Sequence, residues 1–150
     1  MTERQVATRR ALYPRFSSIS TRWGDNDSYG HVNNVVYYSF FDTAVNQHLI
    51  ECGVLDIANS ASIGLVLENQ CRYFTLLGFP DRIDVGMRVT HLGNSSVRYE
   101  IALFRNEADL ASAVGKFVHV YVDRATNQPV PIPPAVRSVL EPLMQAEAAA

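Results

Sequence analysis

The sequence predicts an α+β domain in which a five-stranded antiparallel sheet wraps round one long helix, with a short helix at the C-terminus. Three observations lead there. Residues 35–53 repeat their polar side chains at helical spacing; residues 83–89 and 97–103 alternate apolar and polar side chains with a period of two; and no linker-like stretch divides the 150 residues. A single domain over residues 1–150 is expected, its core spanning about 12–134.

Each element has a local cause. Residues 16–23, FSSISTRW, are rich in Ser, Thr and aromatics and predict a first strand ending at Trp23, where Gly24-Asp25-Asn26-Asp27 turns the chain. In 35–53, VVYYSFFDTAVNQHLIECG, the polar residues Ser39, Asp42, Thr43, Asn46 and Gln47 fall on one narrow stripe and the rest is apolar, so this helix must be largely enclosed. Asn33 or Asn34 caps its start and Gly53 follows its end. A strand over 63–77 comes next, closed by the turn Gly78-Phe79-Pro80-Asp81. Ile83, Val85, Met87 and Val89, then Val97, Tyr99, Ile101 and Leu103, make a hairpin through His91-Leu92-Gly93-Asn94. The last strand, 110–123, is apolar on both faces at Val118, Val120 and Val122. Pro129, Pro131, Pro133 and Pro134 stop it, and PAVRSVLEPLMQAEAAA reads as a short helix broken at Pro142 with an Ala-rich tail. One sheet covered by one helix leaves apolar surface and a strand edge bare, so a homodimer or homotetramer is expected.

Composition excludes several function classes. With 13 Lys+Arg against 15 Asp+Glu the net charge is −2, which offers no basic footprint for nucleic acid. No window reaches the roughly 18 apolar residues of a membrane-spanning helix, and the N-terminus lacks a secretory apolar run, so a cytoplasmic protein without membrane partners is expected. Cys52 and Cys71 are too few and too far apart for a disulfide framework or a zinc site, and are expected to be reduced core residues.

The chemistry-bearing segment is 24–34, GDNDSYGHVNN. It sets two carboxylates, a histidine and two asparagines directly before a helix N-terminus, where free backbone N–H groups and the helix dipole favour developing negative charge. The same residue types also shape turns and caps, so composition leaves both roles open. Asp25, Asp27 and Gly30 match positions one, three and six of a calcium loop, but Tyr29 and Val36 stand where oxygen ligands are required. His31 and His48 are 17 residues apart with no second anchoring pair for zinc, and His48 is expected as a hydrogen-bonded core histidine. No nucleophile elbow, dinucleotide fingerprint or phosphate loop is present, and Ser95-Ser96 has no local base. No metal is expected.

The segment RWGDNDSYGHVNNVVYYSFFDTA resembles the signature of the hotdog-fold acyl-CoA thioesterases of the 4-hydroxybenzoyl-CoA thioesterase-like family, in which Trp/Tyr-x-Asp-x-Asp precedes His-Val-Asn-Asn and a Tyr-rich helix. Residues 93–104 resemble that family's hairpin. The resemblance implies a hotdog fold and hydrolysis of an acyl-CoA to a carboxylic acid and CoA, with CoA as part of the substrate and no separate cofactor. It implies that Asp27 is the catalytic carboxylate, acting as nucleophile on the thioester carbonyl or as general base on a water, with Asp25 supporting it. The Asn34 backbone N–H would polarise the thioester oxygen. His31 and Asn33 would orient Asp27, the water or the pantetheine thioester, and Asn33 equally fits a cap. Tyr29, on the substrate side, stands where related acyl-carrier-protein thioesterases have Asn. Arg88, Arg98, Ser95 and Ser96 are the candidates for the CoA phosphates.

Glu68 reads as a second acid or as a strand's solvent-facing charge. Tyr37, Tyr38, Phe40 and Phe41 would size an acyl pocket or serve as core. A thiolate leaves with little acid assistance, so one placed carboxylate and one oxyanion donor suffice for hydrolysis. The competing functions are a hotdog hydratase or dehydratase, whose Asp-to-His spacing and Pro this loop does not meet, and a non-catalytic acyl-thioester-binding module.

Overall fold

The computed structural model describes residues 6–144; the Ala-rich tail lies outside them. Its main elements are β1 (Arg15–Ser20), α1 (Val36–Glu51), β2 (Ser62–Tyr73), β3 (Arg82–Leu92), β4 (Ser96–Arg105), β5 (Ala113–Asp123) and α2 (Pro134–Leu140). The strands form one antiparallel sheet in the order β1-β3-β4-β5-β2. Consecutive strands β1 and β2 therefore lie at opposite edges, and α1 is the connection that crosses the sheet between them. The five strands round one helix and the short C-terminal helix are those predicted.

The period-two alternation sends Ile83, Val85, Met87 and Val89 of β3 and Val97, Tyr99, Ile101 and Leu103 of β4 to the face that receives α1. The helix answers with Tyr37, Phe40, Phe41, Ala44, Val45 and Leu49, while Ser39, Asp42 and Thr43 of the polar stripe stay exposed. Close approach depends on Gly115 in β5, because a Cβ there would lie 2.4 Å from the Phe41 ring. On the other face the N-terminal segment packs Leu12 and Tyr13 against Ala102 and Phe104. Gly53 follows α1 with φ +73°, the left-handed conformation that its place after the helix calls for. His48 is buried with Nε2 3.1 Å from the Val139 carbonyl, the hydrogen-bonded core histidine expected.

Several boundaries shift for identifiable reasons. The first strand ends at Ser20, and Trp23–Asp25 forms a 3₁₀ turn because the Arg22 N–H and guanidinium both donate to the Asp25 carboxylate. Trp23 itself is exposed. β2 stops at Tyr73 because the next two N–H groups, of Phe74 and Thr75, both donate to the Ser112 carbonyl. The hairpin strands run on to Leu92 across a bulge between Val89 and His91, so the connecting loop is 93–95. β5 begins at Ala113, since Leu110 bridges to Arg9 in the N-terminal segment. The cysteines are both free but not core: Cys52 is exposed and Cys71 half-buried.

His119 lies on the inner face of β5, 2% exposed, and its Nδ1 has no hydrogen-bond partner. Gly64 of β2 makes room for the ring, because a Cβ there would come within 2.8 Å of Nδ1. Burial lowers its pKa from 6.5 to about 4, so the folded protein holds this imidazole neutral. Between those values the unfolded chain binds a proton that the folded one does not, so the stability is present above about pH 6.5 and lost as pH falls towards 4. Denaturant titrations across that window should show a loss in the wild type exceeding that of His119→Leu by roughly 3 kcal/mol; parallel curves would refute the assignment.

Candidate active site

The loop between β1 and α1 is a closed unit. Asp25, 1% exposed, accepts the Arg22 N–H at 2.8 Å and its Nη2 at 2.9 Å, and the Asp25 carbonyl accepts the Asn33 N–H at 2.9 Å. Asn26 and Val32 form a β-bridge, and the Asp27 N–H donates to the His31 carbonyl at 2.8 Å. Gly30 closes the tip with φ +82°. The loop is tied to the segment after β2 through Val32 N–H to Leu77 carbonyl, 2.8 Å, and through Phe79 N–H to Asn26 Oδ1, 3.0 Å.

Asp27 is half-buried within this unit. Its Oδ1 accepts the N–H groups of Tyr29 at 2.8 Å and His31 at 3.4 Å, which fixes the carboxylate's direction. Its Oδ2 accepts no hydrogen bond among the described residues, so one oxygen is held and the other is available.

The start of α1 is fixed on both sides of Asn34. Asn33 Oδ1 accepts the Val35 N–H at 3.1 Å and the Asn33 carbonyl accepts the Val36 N–H at 2.9 Å. The Asn34 carbonyl accepts the Tyr73 hydroxyl at 2.8 Å, and the Tyr73 ring stands edge-on to Tyr37 at 4.8 Å. Burial, together with Cys71 beside it, raises the Tyr73 phenol, which remains a protonated donor. Both peptides flanking Asn34 are thereby clamped, yet the Asn34 N–H has no acceptor among the described residues. An unpaired N–H just before a helix, in the same loop as an oriented carboxylate, is the kind of donor that can stabilise an oxyanion while the carboxylate attacks or deprotonates.

Asp27, Tyr29, His31, Asn33 and Asn34 thus share one loop. Tyr29 is 84% exposed. His31 serves Asp27 through its backbone, while the residue lines a shallow hollow with Gly78, Asp81 and Arg105. The other candidates are elsewhere. Arg88 is not a free surface arginine: it is buried on the outer face of β3, with Nε 2.8 Å from Glu100 Oε2. Ser95 and Ser96 sit at the far end of β3 from the loop, where the Ser95 carbonyl accepts the Tyr121 N–H. Glu68 is exposed and bonded to Gln70, the solvent-facing reading.

Tyr37, Phe40 and Phe41 are buried core, and Tyr38 is half-buried. The residues that sequence reasoning passed over are Arg22, which holds Asp25, and Tyr73, which holds Asn34; only strand register brings Tyr73 to α1. Burial pushes the Cys71 thiol up to about 11, which leaves it protonated and unsuited as a nucleophile. Among the described residues no three His, Cys, Asp or Glu side chains gather to hold a metal, and no helix is long and apolar enough to cross a membrane.

A family model described as the thioesterase-like superfamily matches residues 21–140. No curated protein matches the chain. Among solved structures, the PA5185 protein of Pseudomonas aeruginosa strain PAO1 is 54% identical, with a TM-score of 0.91 over 95% of this chain and 99% of that one. The PA2801 protein of Pseudomonas aeruginosa, a candidate thioesterase, is 31% identical, with a TM-score of 0.76 over 85% and 96%. A thioesterase from Thermus thermophilus, complexed with coenzyme A and Zn, is 27% identical, with a TM-score of 0.73 over 88% and 95%.

Proposed function

The chain belongs to the thioesterase-like superfamily, with its hotdog fold, and from that membership we propose that it is a thioester hydrolase acting on acyl-CoA. The observation that carries the reading is the pairing in one loop of Asp27, with one oxygen held and one available, and the clamped but unpaired Asn34 N–H. The Thermus thermophilus relative, bound to coenzyme A, supports a CoA thioester as substrate.

The thioester carbonyl oxygen accepts from Asn34 N–H, which draws charge towards the helix N-terminus as the tetrahedral intermediate forms. Asp27 acts in one of two ways. As general base it takes a proton from water, hydroxide adds to the carbonyl carbon, the C–S bond breaks, and the proton passes to the departing thiolate. As nucleophile it forms a mixed anhydride while the thiolate leaves, and water then cleaves the anhydride. His31 and Tyr29 supply the N–H groups that aim the carboxylate, Asn33 caps the turn, and Asp25 with Arg22 keeps the loop closed.

Thiol release measured on a panel of aliphatic and aryl-CoAs should fall by about a thousandfold in Asp27→Asn and Asp27→Ala, in line with loss of an essential nucleophile or base. Undiminished turnover in both variants would sink the reading. Binding of CoA without thiol release by the wild type would favour the non-catalytic module, and hydration of an enoyl-CoA the hydratase.

A second copy of the chain is part of this proposal. Edge strand β2 exposes Leu65, Val66 and Leu67 in a row, the last at 68%, with no covering element in the protomer. Sedimentation velocity should give a dimer or tetramer that Leu67→Asp shifts towards monomer; a wild-type monomer at micromolar concentration would contradict it.

A further inference from the structure

We infer that the cavity at the end of α1 remote from the catalytic loop is a second ligand site, one that takes a compact monocarboxylate with an apolar body. The cavity, about 230 Å³, lies between the last turns of α1, residues 54–57, the start of β2 and the end of β5. A helix rises about 1.5 Å per residue, so Leu49 in the cavity wall stands about 20 Å along α1 from Val36 and the loop before it. The β2 residues in the wall, 62–64, precede the row of Leu65, Val66 and Leu67, so a second copy on that row leaves the cavity to its ligand.

Two buried side chains in the wall lack partners. His119 is 2% and Tyr121 3% exposed, and neither ring nitrogen of His119 nor the Tyr121 hydroxyl has a hydrogen-bond partner among the described residues. Packing alone fixes the imidazole, with the Phe117 ring edge-on at 4.8 Å and the Tyr99 ring at 5.9 Å. Nδ1 is shut in against Gly64 without an acceptor, so the proton is assigned to Nε2, the nitrogen left to meet the cavity. Burial raises the Tyr121 phenol to about 12, which keeps it a donor as well. Buried donors without acceptors are costly, and the catalytic loop uses neither of these.

The charge in the wall selects the ligand. Of the described residues that line the cavity, Arg124 alone is charged. Its Nη1 donates to the Ser60 carbonyl at 3.2 Å and its Nη2 to the Ile57 carbonyl, which holds the loop at the cavity's side. A guanidinium has five N–H donors, so others remain for a ligand. One cation and two neutral donors, with no acid among them, suit the paired acceptor oxygens of a carboxylate. Leu49, Val54, Leu55 and Ile57 give the body an apolar wall. The volume falls below the roughly 300–1,000 Å³ of drug-sized pockets, so that body is a single ring or a short chain. Carboxylic acids are also what the proposed hydrolysis releases, but the site does not depend on that reaction.

Calorimetric titration of the full chain with benzoate and with hexanoate tests the site. At least one acid should bind saturably, one per chain, and the matching alcohol, benzyl alcohol or 1-hexanol, about tenfold more weakly. Tyr121→Phe and Arg124→Gln should each weaken the acid about tenfold, while Asp27→Asn binds it as the wild type does. The His119 imidazole resonances should shift along the titration. No saturable binding of either acid, which leaves water as the occupant, would overturn the site. So would equal binding of the alcohol, unmoved His119 resonances, or undiminished affinity in Tyr121→Phe or in a folded Arg124→Gln. Loss of binding in Asp27→Asn would place the acid in the catalytic loop instead and equally overturn it. Because Arg124 also holds the 57–60 loop, a melting curve accompanies that variant; if it unfolds, Tyr121→Phe, which loses one oxygen, decides.

Discussion

The first turn of a helix leaves backbone N–H groups that no carbonyl of the helix can reach, and the construction of this protein turns on which of them stay unpaired. In the turn that leads into α1 the Val35 and Val36 N–H groups are taken by Asn33, while the Asn34 N–H has no acceptor among the described residues. An unpaired donor is useful only if its direction is fixed. Here the preceding peptide is held through the Asn33 carbonyl and the following one through the Tyr73 hydroxyl. The loop that presents Asp27 is closed by Asp25, whose carboxylate is buried only because Arg22 donates to it at three points.

The sheet order makes this geometry possible. Because β1 and β2 occupy opposite edges, α1 must start beside the end of one and deliver the chain to the other, lying across β3, β4 and β5. Gly115 lets Phe41 seat against β5, and the consequence reaches β2, where Tyr73 meets the helix start. The arrangement leaves β2 as a bare edge with two characters, apolar at Leu65, Val66 and Leu67 and polar at Gln70 and Arg72. The apolar stretch suits a second copy of the chain.

The fold was legible in the sequence because its signals are local and periodic. The narrow stripe of Ser39, Asp42, Thr43, Asn46 and Gln47 could belong only to an enclosed helix, and the alternation in β3 and β4 only to a sheet with one buried face. What depended on tertiary partners was misplaced by a few residues: FSSISTRW carries no mark of the Arg22–Asp25 contact that breaks the strand at Ser20. The loop from Asp25 to Asn34 was legible because its residues are contiguous. Tyr73 was not, since its role appears only when β2 is set beside α1, and neither was the commitment of Arg88, whose partner Glu100 lies on the next strand. A lone arginine in an alternating strand looks the same whether its neighbour is water or a carboxylate.

In the proposed mechanism the Asn34 N–H receives the thioester oxygen while Asp27 faces the thioester carbon. A crystal structure of the inactive Asp27→Asn variant soaked with an acyl-CoA that the wild type hydrolyses tests it most directly. The carbonyl oxygen should lie about 2.9 Å from the Asn34 nitrogen, with residue 27 on the open side of the carbonyl carbon. A thioester bound with its carbonyl elsewhere, and the Asn34 N–H turned to another acceptor, would contradict it.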